Sequence, residues 1–289
     1  MSVSKQVSLH GKRAFVTKDD QVGARGGFVA GGEGKPGIVL PGSPDTVAYF
    51  DDFLEDHTLF GDTGTNSRVS NFWLDTGSAV SAHVAGTGGV HRITPTLVDV
   101  DDCHVLVGRS LDWKPNQGPG AYSGRLRVGA RIKKADWGQL AGVRTGYAGV
   151  FVGFTDNAAM EMPVHDTGGA AGTVTATATN AFGIMHNSNG DTGWVGVGVD
   201  GGTVQTALLG ATEATANKYV TLEMELHRSS DDTGGTVSFY IDGFPKGQID
   251  NPCNISTALT PVIAMYDTGG ASVLDIDWIN VSAPRDTGM

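Results

Sequence analysis

Four groups of residues have types and spacings that could do chemistry. In Arg125-Leu-Arg127-Val-Gly-Ala-Arg131-Ile-Lys133-Lys the odd positions other than Gly129 are basic, while Leu126, Val128, Ala130 and Ile132 alternate with them. On a strand this puts the cations in a row on one face. Such a row could dock an acidic partner surface or an anionic glycan. It equally suits cross-strand pairing with acids such as Glu223 and Glu225, and the pairing role is favoured. Trp113, Tyr122 and Trp137, with Tyr147 and Trp194, are aromatics suited to stacking on sugars, and Trp113 and Tyr122 flank the loop Lys114-Pro-Asn-Gln-Gly-Pro-Gly. Aromatics of this kind also plug sandwich edges or subunit contacts. Asn187-Ser-Asn189-Gly-Asp191 and Asp99-Val-Asp101-Asp102 alternate oxygen donors as a calcium loop would, and as polar turns also do. The eight histidines have no paired spacing of the zinc-site kind, so no other cofactor is expected.

The elements that must position these residues are strands. Tyr219-Val-Thr-Leu-Glu-Met-Glu-Leu-His alternates without a break, and Thr236 to Gly243, Pro261 to Tyr266 and Val273 to Val281 follow in the same style. Period-2 alternation bounded by Asp/Gly turns marks half-buried antiparallel strands. Further strands are predicted over 71–85, 89–98, 104–109, 124–133, 149–155, 173–186, 193–199 and 203–209. Long amphipathic helices are missing. Gly is 43 of 289 residues, and 39% of the chain is hydrophobic, enough for a core. The predicted fold class is all-β, two sheets of about six strands, a jelly roll over residues 46–289.

Residues 1–45 read differently. One strand-like run, Lys12-Arg-Ala-Phe-Val-Thr, leads into Gly-rich sequence too poor in apolar residues to build its own core. This is expected to be an extended N-terminal arm that orders along a partner, with Lys12, Arg13, Phe15, Arg25 and Phe28 as contacts. The arm carries six Lys/Arg against four Asp/Glu, whereas the body is strongly acidic and the whole chain stands at −11. That balance argues against nucleic acid as a partner. No window is apolar enough to cross a membrane and the N-terminus has no apolar leader, so a soluble protein made in the cytoplasm is expected. Cys103 and Cys253 fit isolated buried thiols, with one bridge left open.

Three resemblances bear on function. Phe72-Trp-Leu-Asp75-Thr-Gly-Ser-Ala and Ile263-Ala-Met-Tyr-Asp267-Thr-Gly-Gly resemble the two catalytic motifs of aspartic proteases, where two carboxylates share one proton. Against a protease, Asp-Thr-Gly occurs five more times in turn contexts, and only 22 residues follow Asp267. The Thr46-Val-Ala-Tyr-Phe-Asp-Asp-Phe entry and the closing Tyr-x-Asp-Gly and Leu-Asp-x-Asp-Trp-Ile-x-Val runs resemble concanavalin A-like lectin/glucanase β-sandwiches. That resemblance implies either sugar binding or a glucanase. A glucanase of this kind requires Glu-x-Asp-x-Glu on one strand, and Glu223-Met-Glu225 lacks both the central Asp and the third acid. No enzyme is expected. The arm, the acidic body and the opening Val-Ser-Leu-His-Gly-Lys-Arg-Ala-Phe-Val-Thr resemble tailed-bacteriophage virion proteins. The expectation is a capsid decoration (cement) protein on the virion, a homotrimer bound through its arm to the major capsid protein. A carbohydrate-binding, lectin-like module recognising surface glycans is the alternative.

Overall fold

The computed structural model describes residues 5–9, 12–16, 46–51, 73–76, 80–83, 89–94, 104–108, 114–115, 125–134, 148–157, 161–166, 173–187, 193–210, 218–229, 234–267 and 273–284. The described elements are all strands. In chain order they are β1 (Lys5–Leu9), β2 (Lys12–Val16), β3 (Thr46–Asp51), β4 (Trp73–Thr76), β5 (Val80–His83), β6 (His91–Thr94) and β7 (His104–Gly108). Then come β8 (Arg125–Lys134), β9 (Ala148–Thr155), β10 (Val164–Asp166), β11 (Val174–Ala176), β12 (Ala181–Asn187), β13 (Val195–Asp200) and β14 (Thr203–Leu208). The chain ends with β15 (Val220–Arg228), β16 (Gly235–Ile241), β17 (Phe244–Asp250), β18 (Thr260–Asp267) and β19 (Leu274–Pro284).

Two antiparallel sheets form the body. One has seven strands in the order β14-β13-β12-β9-β18-β7-β4. The other has eight, β17-β16-β15-β8-β19-β6-β5, with β3 also paired to β19. Both are larger than the six strands anticipated. The extra members include β17, whose Phe-Pro-Lys-Gly-Gln-Ile-Asp sequence hides its strand character behind a proline and a glycine; an edge strand tolerates both. The run over 71–85 is two strands rather than one. β4 lies in the seven-stranded sheet and β5 in the eight-stranded sheet, so the chain changes layers between Thr76 and Val80. In the arm β1 pairs with β2 as a hairpin, one strand more than its sequence suggested.

Alternation sets what lies between the sheets. Leu126, Val128, Ala130 and Ile132 of β8 meet Val150, Val152 and Phe154 of β9 in one core, with Leu222, Met224 and Leu226 of β15 beside them. Burying each such side chain contributes about 1.5–3 kcal/mol. β13 reads Val-Gly-Val-Gly-Val because its two faces have different neighbours. Its valines belong to a second apolar cluster, on the outer face of the seven-stranded sheet, with Phe151, Met162, Val164 and Tyr266. The short β10–β11 hairpin contributes to that cluster and packs against this part of the outer face. On the inner face, a Cβ at Gly196 would stand 2.6 Å from the ring of Phe239 on the opposite sheet. The β16–β17 hairpin turns through Asp242 (φ 52) and Gly243 (φ 78), both left-handed as a two-residue primed turn requires.

Asp-Thr-Gly marks strand ends, as its turn chemistry anticipates: Asp166 and Asp267 close β10 and β18, and Asp75 is the penultimate residue of β4. Gly196→Ala is expected to lower unfolding free energy by about 1–3 kcal/mol through overpacking against Phe239, read as a lower urea midpoint at unchanged m.

Candidate functional site

The outer face of the eight-stranded sheet is where chemistry-bearing side chains converge. β8 is central there, between β15 and β19. Its apolar residues point to the core, so Arg127, Gly129, Arg131 and Lys133 point outward. Register then dictates their neighbours. Asp275 of β19 stands opposite Lys133 on one side and opposite Arg92 of β6 on the other. Tyr219, the residue before β15, lies one step beyond the Val220–Ile132 pair and so continues the row past Lys133. Four consecutive chain crossings therefore line up Arg92, Asp275, Lys133 and Tyr219.

The row is bonded throughout. Arg92 donates from Nε to Asp275 Oδ1 at 2.6 Å and from Nη2 to Oδ2 at 2.9 Å, a bidentate clamp. Lys133 Nζ reaches Asp275 Oδ2 at 2.9 Å. Burial alone would raise the Asp275 carboxyl, but the hydrogen bonds from Arg92 and Lys133 outweigh it and hold the carboxyl below the ordinary aspartate range. The same clamp raises Arg92. Arg131 Nη1 donates to Asp277, and the Arg131 guanidinium sits 4.6 Å from the centroid of the Tyr219 ring, with Lys133 Nζ at 5.0 Å. Burial raises the Tyr219 phenol, with Lys133 opposing.

A bulge explains the second carboxylate. The register of β19 on β8 shifts between Ile276 and Trp278, which makes Asp277 the extra residue and lets it meet Arg131. Trp278 is buried, but on the outer side, within 3.5 Å of where a Cβ at Gly129 would lie.

At the other end of β8, the expected pairing with acids is present. Arg127 Nη2 meets Glu225 Oε2 at 2.8 Å, and His227 Nε2 lies 3.4 Å from Glu225 Oε1. Burial pushes the Glu223 carboxyl up; Arg127 opposes the shift and Glu225 adds to it. Among the described side chains, one arginine here faces two glutamates, which leaves no positive excess between them.

The other sequence-predicted residues fall elsewhere. Trp113, Tyr122, Trp137, Arg25 and Phe28 lie outside the described residues, as do the side chains of Lys12, Arg13 and Phe15. The protease pair is not brought together. Asp75 is level with Leu106 of β7 and hence with Ile263 of β18, two strands across, and Asp267 lies four residues further on. That offset is about 10 Å across and about 13 Å along, too far for two carboxylates to share a proton. The second calcium candidate and most of the first lie outside the described residues, among which no group of three or more His, Cys, Asp or Glu could hold a metal. Cys253 is a free buried thiol whose pKa burial pushes up to about 12, which makes it inert at neutral pH.

No family model matches the sequence, and no curated protein matches it. Solved structures do align. The carbohydrate recognition domain of Emp47p aligns with a TM-score of 0.47 and 12% identity, over 82% of this chain and 94% of that one. Peanut lectin aligns at 0.47 and 10%, over 82% and 97%. A Bacillus licheniformis beta-glucanase aligns at 0.43 and 13%, over 81% and 97%. The set holds lectins and glucanases alike, and no residue role is carried over from it.

Asp275→Asn is expected to lower stability at pH 7 by about 1–2 kcal/mol, the worth of charge-assisted bonds discounted for the half-exposed Arg92. Because the folded carboxyl titrates below its unfolded value of about 3.9, its contribution is complete above that pH and lost as pH falls through the folded pKa. The gap between wild type and variant in urea midpoints should therefore narrow below about pH 4. A gap that persists unchanged at pH 2 contradicts the assignment.

Proposed function

We propose that this chain is a carbohydrate-binding module, lectin-like in kind, which holds its sugar on the outer face of the eight-stranded sheet around Arg92, Arg131, Lys133 and Tyr219. The observation that carries the reading is the bonded row itself. An aromatic ring and several oriented hydrogen-bonding groups stand side by side on strands, already held by one another. Sugar sites need such a combination, an apolar ring surface with a few fixed polar groups. Groups immobilised before binding lose little entropy when the ligand arrives. Nothing in the structure or the comparisons supports the capsid-decoration reading, so glycan binding takes its place as the function to test.

A hydrolytic reading has one observation in its favour. Glu223, with its raised carboxyl, stands on the same strand face as Glu225, and carboxylates with unlike environments are what acid and base roles require. Against it, Glu225 is only 5% exposed at its side chain and is bonded to Arg127, so a substrate has little access to it. Release of reducing sugar from β-glucan by the wild type, abolished in Glu223→Gln, would establish hydrolysis and displace the binding-only reading.

The binding reading is tested on a panel of immobilised neutral and acidic oligosaccharides. Wild type is expected to be retained by at least one class, with Tyr219→Ala weakening retention about tenfold and Tyr219→Phe keeping most of it. Far-UV circular dichroism confirms the fold of both variants. Retention by no sugar, or retention equal in Tyr219→Ala, overturns the reading.

A further inference from the structure

We infer that the sugar taken at this site is acidic, a residue bearing a carboxylate or a sulfate ester, and that Arg92 and Arg131 bind its anion. The inference rests on the glycan-binding reading and names the ligand class of the same site.

The argument is one of charge and of depth. Three cations, Arg92, Arg131 and Lys133, share two carboxylates, Asp275 and Asp277. Among the described side chains of the row, one positive charge is left over. The carboxylates lie beneath the cations: the Asp275 and Asp277 side chains are 4% and 25% exposed, against 41% for Arg92 and 41% for Arg131. Solvent therefore meets guanidinium groups, with the acids underneath. Among the described residues the guanidinium donors are also incompletely used. Arg92 gives Asp275 its Nε and Nη2, and Arg131 gives Asp277 its Nη1. A guanidinium has five N–H donors in a planar fork, so each arginine keeps donors for a second oxyanion. Being held by its aspartate, each also presents them in a fixed direction.

The net charge of −11 does not oppose this. At physiological salt the screening length is about 8 Å, so an anion at contact responds to the row beneath it more than to distant acids. The same locality argues for one charged sugar ring over a polyanion. Towards the other end of β8, Arg127 already faces Glu225 and Glu223, so among the described side chains no second positive excess follows along the strand. An acidic peptide or a nucleic acid needs several such sites in a line, whereas a single uronate or sulfated ring needs one anion clamp and an adjacent aromatic surface.

The test is isothermal titration of the full chain at 0.15 M salt. The probes are trisaccharides of galacturonate, glucuronate and mannuronate, their neutral methyl esters, a sulfated galactose trisaccharide, inorganic sulfate, and hexaglutamate. At least one acidic sugar is expected to bind about tenfold tighter than its neutral counterpart, as a charge-assisted contact requires. Arg92→Gln and Arg131→Gln should each remove that preference, and Arg92→Lys should restore only part of it, because lysine keeps the charge without the fork. Arg92→Gln leaves Asp275 bonded to Lys133, and a far-UV circular dichroism spectrum like that of wild type checks that the fold survives the lowered stability. Equal binding of acid and ester, insensitive to both arginines, overturns the inference and leaves the glycan-binding reading standing. Binding of no sugar removes both. Inorganic sulfate as tight as the best sugar makes this a free-anion site, and hexaglutamate as tight makes the partner an acidic protein; either result overturns the acidic-sugar assignment.

Discussion

The outer face of the eight-stranded sheet is organised around one nearly buried carboxylate. Asp275 sits mid-sheet on β19, where a lone charge would be costly, and it is tolerated because Arg92 and Lys133 stand opposite it on the two neighbouring strands. That requirement ties together β6, β19 and β8, whose residues come from opposite ends of the sequence; Arg92 and Asp275 are 183 residues apart. The alignment of the row then depends on the core, since only the register that buries Leu126, Val128, Ala130 and Ile132 turns Arg131 and Lys133 outward. Packing between the sheets and charge pairing outside thus select the same register.

Much of the architecture was legible. Where one strand face is buried and the other polar, as in β8, β15 and β16, alternation marks the strand and the face together. β9, predicted over 149–155 as one of the series of strands, is buried along its whole length, as an apolar run without alternation requires. Legibility failed where neighbours replace pattern. β17 shows mostly exposed residues on an edge, and β10 is three residues long. The layer change between β4 and β5 has no signature in periodicity, because each strand is only four residues long.

The site was half legible. The basic row on β8 and its bonding to Glu225 follow from alternation alone. The partners of Arg131 and Lys133 do not, since Asp275 and Asp277 read as ordinary surface acids until register and a bulge place them. A usable signal existed in Leu-Asp-Ile-Asp-Trp: two acids and a tryptophan on a C-terminal strand in a chain with one markedly basic strand. Arg92 had no local signal. The aromatics that looked most suited to a sugar, Trp113, Tyr122 and Trp137, lie outside the described residues. Tyr219, which opens β15, is the aromatic that meets the charged row.

The most direct measurement of the central claim is a two-dimensional NMR titration of the full chain with an acidic trisaccharide, following backbone amide and arginine side-chain signals. The account predicts shifts concentrated at Arg92, Arg131, Lys133, Tyr219 and their neighbours on β6, β8 and β19. Shifts confined to residues 109–124 and 135–147, with the arginine signals unmoved, would contradict it and place the ligand on the aromatic segments instead.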